Sequence, residues 1–242
     1  MKVVALTDLG LVRENNQDCF DVKILSDNTA IAVICDGMGG NKGGEIASNI
    51  AVKTIFEELV SNYKENYSLK ETEYLLVKAA GLANEKIFNY SLKNPKYFGM
   101  GTTLIIVLIQ GNLLHIVNVG DSRAYLIINN SINQITKDHS VVQQLLESGE
   151  ITLSQARRHP NKNIITRALG ISSSVDVDYF QTTINSREKI FLCTDGFSNY
   201  VDDDKILELV NNISFENLAT ECVTFAKNAG GEDNITVVVL EK

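Results

Sequence analysis

The order in which strand-like and helix-like periodicities succeed one another along the 242 residues restricts the fold more than any other feature. Residues 2–6, 19–25 and 30–35 are short apolar runs, and the turn Ser26-Asp27-Asn28-Thr29 joins the last two as a hairpin. The pattern then turns helical over residues 43–63, where Ala51, Ile55 and Leu59 fall four apart beside Val52, Phe56 and Val60. A second helix is expected over 69–92, with Leu75, Leu76, Ala79, Ala80, Ala83 and Ile87 on its apolar side and Pro95 just beyond as a stop. Residues 103–109, 113–119, 124–128 and 132–136 alternate with the turns Gly111-Asn112 and Asn129-Asn130 and read as an antiparallel meander. Residues 138–170 are more polar, with no strong strand, and read as an insertion or flap. Strands resume at 175–184 and 189–194, helices at 204–211 and 215–227, and a strand at 235–240. Runs of each type favour an α+β class over alternating α/β. Hairpin connections make the sheet mostly antiparallel. Two sheets packed face to face, with helix pairs outside, would bury both apolar helix faces.

Only 2 prolines and no Pro/Gly/Ser-rich linker interrupt this order, so residues 1–242 read as one domain. The formal charge of -8 argues against a nucleic-acid binder working through a broad basic face. Cys19, Cys35, Cys193 and Cys222 form no C-x-x-C pair, which removes a zinc-ribbon reading, and none has an arginine six positions later, as a cysteine-nucleophile phosphatase would need. Cysteines ending apolar runs fit buried positions in a reducing cytosol. Residues 1–11 lack a secretory apolar core and no apolar stretch reaches ~18 residues, so the expectation is a cytoplasmic protein without membrane insertion.

Four aspartates share one context. Val33-Ile34-Cys35 leads into Asp36-Gly37, Val117-Asn118-Val119-Gly120 into Asp121, Phe191-Leu192-Cys193-Thr194 into Asp195-Gly196, and Gly230-Gly231-Glu232 into Asp233 just before the last strand. A strand fixes where a carboxylate points, while an adjacent glycine lets backbone or ion approach closely. Crowded carboxylates repel and take up protons unless a cation intervenes. Oxygen-only ligands suit Mg²⁺ or Mn²⁺ rather than zinc or copper. Any single Asp-Gly after a strand is commonly just a turn. Spacing alone leaves the turn and metal readings both open.

The blocks nevertheless have a family likeness. Residues 7–18, Thr-Asp-Leu-Gly-Leu-Val-Arg-Glu-Asn-Asn-Gln-Asp, are followed by Asp36-Gly37-Met38-Gly39-Gly40, Gly101-Thr102-Thr103 and Val119-Gly120-Asp121-Ser122-Arg123. Lys137-Asp138-His139-Ser140, Thr166-Arg167-Ala168-Leu169-Gly170, Thr194-Asp195-Gly196 and Asp233-Asn234-Ile235-Thr236 complete the series. In this order they resemble the metal-dependent serine/threonine protein phosphatases of type 2C (the PPM family), in the compact bacterial form, over essentially the whole chain. The resemblance implies a central antiparallel β-sandwich flanked by helix pairs, an αββα four-layer arrangement, with residues 138–170 as a flap near the active site. It implies hydrolysis of phosphoserine and phosphothreonine in proteins by a metal-bridging hydroxide. Asp36 would bridge two Mg²⁺ or Mn²⁺ ions, the Gly37 carbonyl would bind the second, and Asp195 and Asp233 would complete the first site. Asp18 would act through water, Asp121 with Asp195 would hold a weaker third ion, and Arg13 would bind the substrate phosphate. The implied partners are phosphorylated proteins in signalling, namely a Ser/Thr kinase and its substrates. A monomer is the default.

One position departs from the pattern. Some eukaryotic members of the family carry histidine after the Asp-Gly, as a proposed general acid; here it is Met38. His139 is a candidate for that role, against a structural role at the start of the flap. His115 reads as a strand histidine, and Arg157-Arg158-His159 as solvated surface or a phosphoprotein contact. Asp176-x-Asp178 lacks a leading apolar strand and is discounted as a nucleophile motif. A narrow-target phosphatase and a non-catalytic binding relative are the rival readings. Retention of Asp36, Asp121, Asp195 and Asp233 argues against the second.

Overall fold

The structure, a computed structural model, describes residues 1–40 and 42–242. The chain ends pair with each other: β1 (Lys2–Asp8) lies antiparallel to β11 (Ile235–Glu241), with Val4 opposite Val239. β10 (Lys189–Cys193) follows on the other side of β11, then β7 (Arg123–Ile128) and β8 (Ser131–Gln134), giving one five-stranded sheet. The second sheet runs β2 (Asp18–Ser26), β3 (Thr29–Met38), β5 (Leu104–Gln110), β6 (Leu113–Val119) and β9 (Asp178–Thr183). The two-residue β4 (Gly101–Thr102) pairs with the end of β3.

Alternation along the strands dictates the layers. In β3, Ala30, Ala32 and Ile34 face the five-stranded sheet and, with Ile105 and Val107 of β5, meet its Leu126, Leu192, Val238 and Leu240 in the dry centre of the sandwich. Their neighbours Ile31, Val33 and Cys35 face outward, onto α1 (Gly43–Asn62) and α2 (Leu69–Lys93). On the opposite side, Tyr125, Phe191 and Val237 carry α6 (Asp203–Asn212) and α7 (Leu218–Ala229). The result is the expected helix–sheet–sheet–helix stack. α2 starts where the sequence supplies a capping box: Ser68 Oγ accepts the Glu71 amide, and the Glu71 carboxylate accepts the Ser68 amide at 2.8 Å.

Several boundaries differ from those expected. β3 continues past Cys35, so Asp36 and Gly37 lie within the strand, because Gly37 and Met38 gain partners in Thr102 and Gly101. The meander is split between the sheets: β5 pairs β6 in one, while β7 pairs β8 in the other. The chain crosses over at Gly120, whose φ of +104 turns it out of the strand direction. Residues 175–177 are not strand, and residues 215–217 form a 3₁₀ turn ahead of α7. Between β8 and β9, α3 (Val141–Glu147) and α4 (Leu153–Ala156) form a lobe. Its root is tied by bridges from Ser140 to Ile165 and from Thr102 to Leu169. Among the described residues, no helix is long and apolar enough to cross a membrane.

Candidate metal centre

The strands deliver the acidic residues to one end of the sandwich. A cleft of about 1010 Å³ there is lined by Arg13, Asp36, Gly37, Asp121, Asp195 and Asp233. Asp36 comes from β3, Asp121 from the crossover after β6, Asp195 from the start of the short α5 (Asp195–Ser198) after β10, and Asp233 from the lead into β11. All four aspartates singled out in the sequence therefore converge. Asp18 lies beside them: it is directly opposite Asp36 in the β2–β3 ladder and is 7% exposed.

Backbone contacts hold these carboxylates in place. The Asp36 amide donates to Thr103 Oγ1 at 2.9 Å, and the Asp36 carbonyl accepts from the Thr103 amide at 2.8 Å and from Thr102 Oγ1 at 2.9 Å. Thr103 Oγ1 also meets Ser122 Oγ at 2.8 Å, so the Gly-Thr-Thr and Asp-Ser-Arg blocks brace each other. Gly37 is buried against α1, where an added Cβ would collide with the Gly44 carbonyl. Asn234 fastens the loop that carries Arg13: its Nδ2 donates to the Leu9 and Asn15 carbonyls, and its Oδ1 accepts from the Gln17 amide. Arg13 Nη2 then reaches Asp233 Oδ2 at 2.8 Å.

Electrostatically, the cluster is in conflict without cations. Burial and the charges of Asp18, Asp195, Asp121 and Asp233 push the Asp36 carboxyl well above the usual range. Burial, then Asp195 and Asp138, do the same to Asp121, and burial with Asp233 raises Asp195. Asp18 is raised to about 7, chiefly by burial, even though its Oδ2 accepts from Thr194 and Thr236 hydroxyls at 2.9 and 2.6 Å. Its Oδ1 is buried with no hydrogen-bond partner among the described residues. A buried, orphaned carboxylate oxygen and mutually raised acids fit an oxygen-ligated divalent cation. Among the described residues, no three His, Cys, Asp or Glu side chains already stand as a finished ligand set for one ion.

Other sequence candidates fall elsewhere. His139 does not line the cleft: it is 7% exposed, and its Nδ1 accepts the Gly120 amide at 3.0 Å. Met38 is half-buried and walls the cleft rather than packing in the core. Asp178 is held by Arg167 at 2.6 Å, consistent with discounting it as a nucleophile. Arg157 and Arg158 are exposed, and Arg157 lies 3.7 Å from Asp202. His115 is a buried strand residue bonded to the Tyr179 hydroxyl. Sequence reasoning missed Asn199, whose Nδ2 donates to Asp195 Oδ2 at 3.1 Å, and Lys162, which lines the cleft. The spacing of four from Asp195 could have revealed Asn199; nothing local marks Lys162.

With this geometry in view, comparison with known proteins gives a family. The model of the protein phosphatase 2C family matches residues 12–234. The chain belongs to that family. It is 38% identical over 240 residues to the serine/threonine phosphatase stp of Listeria welshimeri, covering 98% of this chain and 94% of that one. The crystal structure of the serine/threonine phosphatase Stp1 of Staphylococcus aureus superposes with a TM-score of 0.93 at 32% identity, over 100% of this chain and 94% of that one. The catalytic domain of the serine/threonine protein phosphatase PstP, solved with two manganese ions, superposes with a TM-score of 0.85 at 33% identity, over 99% and 97% of the two chains.

Proposed function

We propose that the protein is a Mg²⁺- or Mn²⁺-dependent phosphatase of phosphoserine and phosphothreonine in proteins, with the carboxylate cleft as its hydrolytic centre. The observation that carries this reading is the convergence of Asp36, Asp121, Asp195 and Asp233 on one cleft, with three of the four pushed toward protonation by burial and by one another. The relatives named stp, Stp1 and PstP are serine/threonine phosphatases, and the PstP structure holds manganese.

Asp36 would bind two core ions, with Gly37 contributing its carbonyl and Asp195 and Asp233 completing the set. Asp121 with Asp195 would take a weaker third ion, and Asp18 would act through water. When bound, the ions would activate water as a nucleophile and offset charge on the phosphoryl oxygens. The residues themselves do the positioning. Arg13, held at the rim by Asp233, presents a guanidinium fork suited to two phosphoryl oxygens. Asn199 orients Asp195, and the Thr194 and Thr236 hydroxyls orient Asp18. Met38 cannot donate a proton, so protonation of the leaving oxygen falls to water or to another residue of the cleft.

We assign residues 138–170 the role of a flap within a single catalytic domain. Leu146, Leu153 and Ala156 of this lobe wall a second cavity of about 380 Å³ that also reaches Asp121 and Asp195. That position suits contact with the protein that carries the phosphate. A signalling role opposing a Ser/Thr kinase in the bacterial cytoplasm, as a monomer, follows from the family resemblance.

The test is phosphate release from phosphoserine, phosphothreonine and phosphotyrosine peptides of one sequence, with Mn²⁺ and with EDTA. Mn²⁺-dependent release from the first two is expected. Release that persists in EDTA, or that is confined to phosphotyrosine, would refute the reading.

A further inference from the structure

The surroundings of His139 do more than bury it. Gly120 immediately precedes Asp121 and is gripped on both sides of its peptide. Its amide donates to His139 Nδ1 at 3.0 Å, and its carbonyl accepts from the His139 amide at 2.9 Å. Asn118 Nδ2, which also holds the Lys137 carbonyl at 2.9 Å, lies 3.4 Å from the same Gly120 oxygen. A side chain at position 120 would run into Thr103, the residue that anchors Asp36.

The chemistry fixes the ring. A backbone amide can only donate, so Nδ1 is the unprotonated nitrogen and Nε2 carries the proton. Nε2 faces Asp178 Oδ2 at 3.2 Å. Arg167 Nη1 stands 3.1 Å from the same nitrogen and donates to Asp178 Oδ1 at 2.6 Å. Asp178 thus serves both donors and selects the tautomer that leaves Nδ1 free to accept. Arg167 belongs to the chain leaving the flap, whose Thr166 amide donates to the His139 carbonyl at 2.8 Å. His139 therefore sits at the flap root, between the entering and leaving chains and the turn that presents Asp121.

We propose that His139 is a positioning residue for Asp121: its Nδ1 fixes the Gly120 peptide, Asp178 and Arg167 fix the ring, and the flap root is thereby coupled to the Asp121 site. This rests on the reading of Asp121 as a ligand of the weaker ion. Asparagine and glutamine separate the two ends of the ring, since Asn Oδ1 can stand where Nδ1 does and Gln reaches only toward Nε2.

The experiment titrates the full chain with Mn²⁺ by calorimetry and records the Gly120 amide signal by NMR on the metal-free protein. It compares wild type, His139→Gln, His139→Asn and Asp121→Asn. His139→Gln is expected to weaken the weaker Mn²⁺ site about tenfold, the equivalent of roughly one hydrogen bond, and to shift the Gly120 amide. His139→Asn should stay within about threefold of wild type with the amide in place, as the retained acceptor requires. Equal losses in the two variants, or none in either, would overturn the proposal. Should Asp121→Asn leave the Mn²⁺ isotherm unchanged, the ligand reading fails, and the Gly120 amide alone decides whether His139 holds the turn. If His139→Gln does not fold, Asp178→Asn replaces it: a shifted Gly120 amide supports the clamp and an unmoved one refutes it.

Discussion

Thr103 and Asp36 are joined by two contacts to the Asp36 backbone: Thr103 Oγ1 accepts the Asp36 amide at 2.9 Å, and the Thr103 amide donates to the Asp36 carbonyl at 2.8 Å. The hydroxyl is thus the sole side-chain device that fixes the Asp36 amide among the described contacts. Replacing it with the isosteric Thr103→Val leaves a buried donor unpaired and should cost about 1–3 kcal/mol of stability. Urea unfolding in EDTA measures this. Because Ser122 Oγ loses the same partner, Thr103→Val should also weaken Mn²⁺ binding, whereas a surface threonine-to-valine change should do neither.

The raised acids make a signed prediction about pH. Asp18 titrates near 7 in the folded protein, chiefly through burial, against roughly 3.9 in an unfolded chain. The folded state then binds the proton more tightly. Its stabilising preference is complete below about pH 4 and is lost as pH rises from about 4 to about 7. The metal-free protein should therefore melt at lower temperature at pH 8 than at pH 5. Cations compete with those protons, so the Mn²⁺-induced rise in Tm should be larger at pH 8. Thermal melts in EDTA and in Mn²⁺ across this range provide the check.

Arg13 should matter for catalysis far more than for folding. Its ion pair with Asp233 joins side chains 54% and 34% exposed, where solvent screening limits the contribution to about 0–1 kcal/mol. Arg13→Ala should leave Tm nearly unchanged while lowering kcat/KM on a phosphothreonine peptide about 10²-fold, through the loss of a charge-assisted fork on phosphate. Steady-state kinetics beside a thermal melt would expose an opposite pattern.

Much of this architecture is legible along the chain because it is local. Helical spacing marks α1 and α2 almost to the residue, and α6, expected over 204–211, runs Asp203–Asn212 with Asp202 capping the Lys205 amide. The grouping of Asp36, Asp121, Asp195 and Asp233 is implied by the family resemblance, since a place at a strand end alone fits a turn as well as a metal ligand. What escaped is non-local. Pairing of β1 with β11 joins the two chain ends, and the crossover at Gly120 moves β7 into the other sheet; neither leaves a periodic trace. Asp36 falls inside β3 because Asp18 pairs with it and because Thr102 and Gly101, more than sixty residues later, extend the strand past it. His139 is indistinguishable in sequence from a catalytic histidine. Its role becomes visible only when the Gly120 amide is found on its ring.

The central claim is that the carboxylate cleft is a cation-dependent hydrolytic centre organised by Asp36, and Asp36→Asn tests it most directly. Phosphate release from a phosphothreonine peptide in saturating Mn²⁺ is measured for wild type and variant, with a melt of each in EDTA and in Mn²⁺. Removing one of the crowded charges should keep or raise the metal-free Tm, while turnover and the Mn²⁺-induced stabilisation are both lost. A folded Asp36→Asn protein that retains wild-type turnover would contradict the claim.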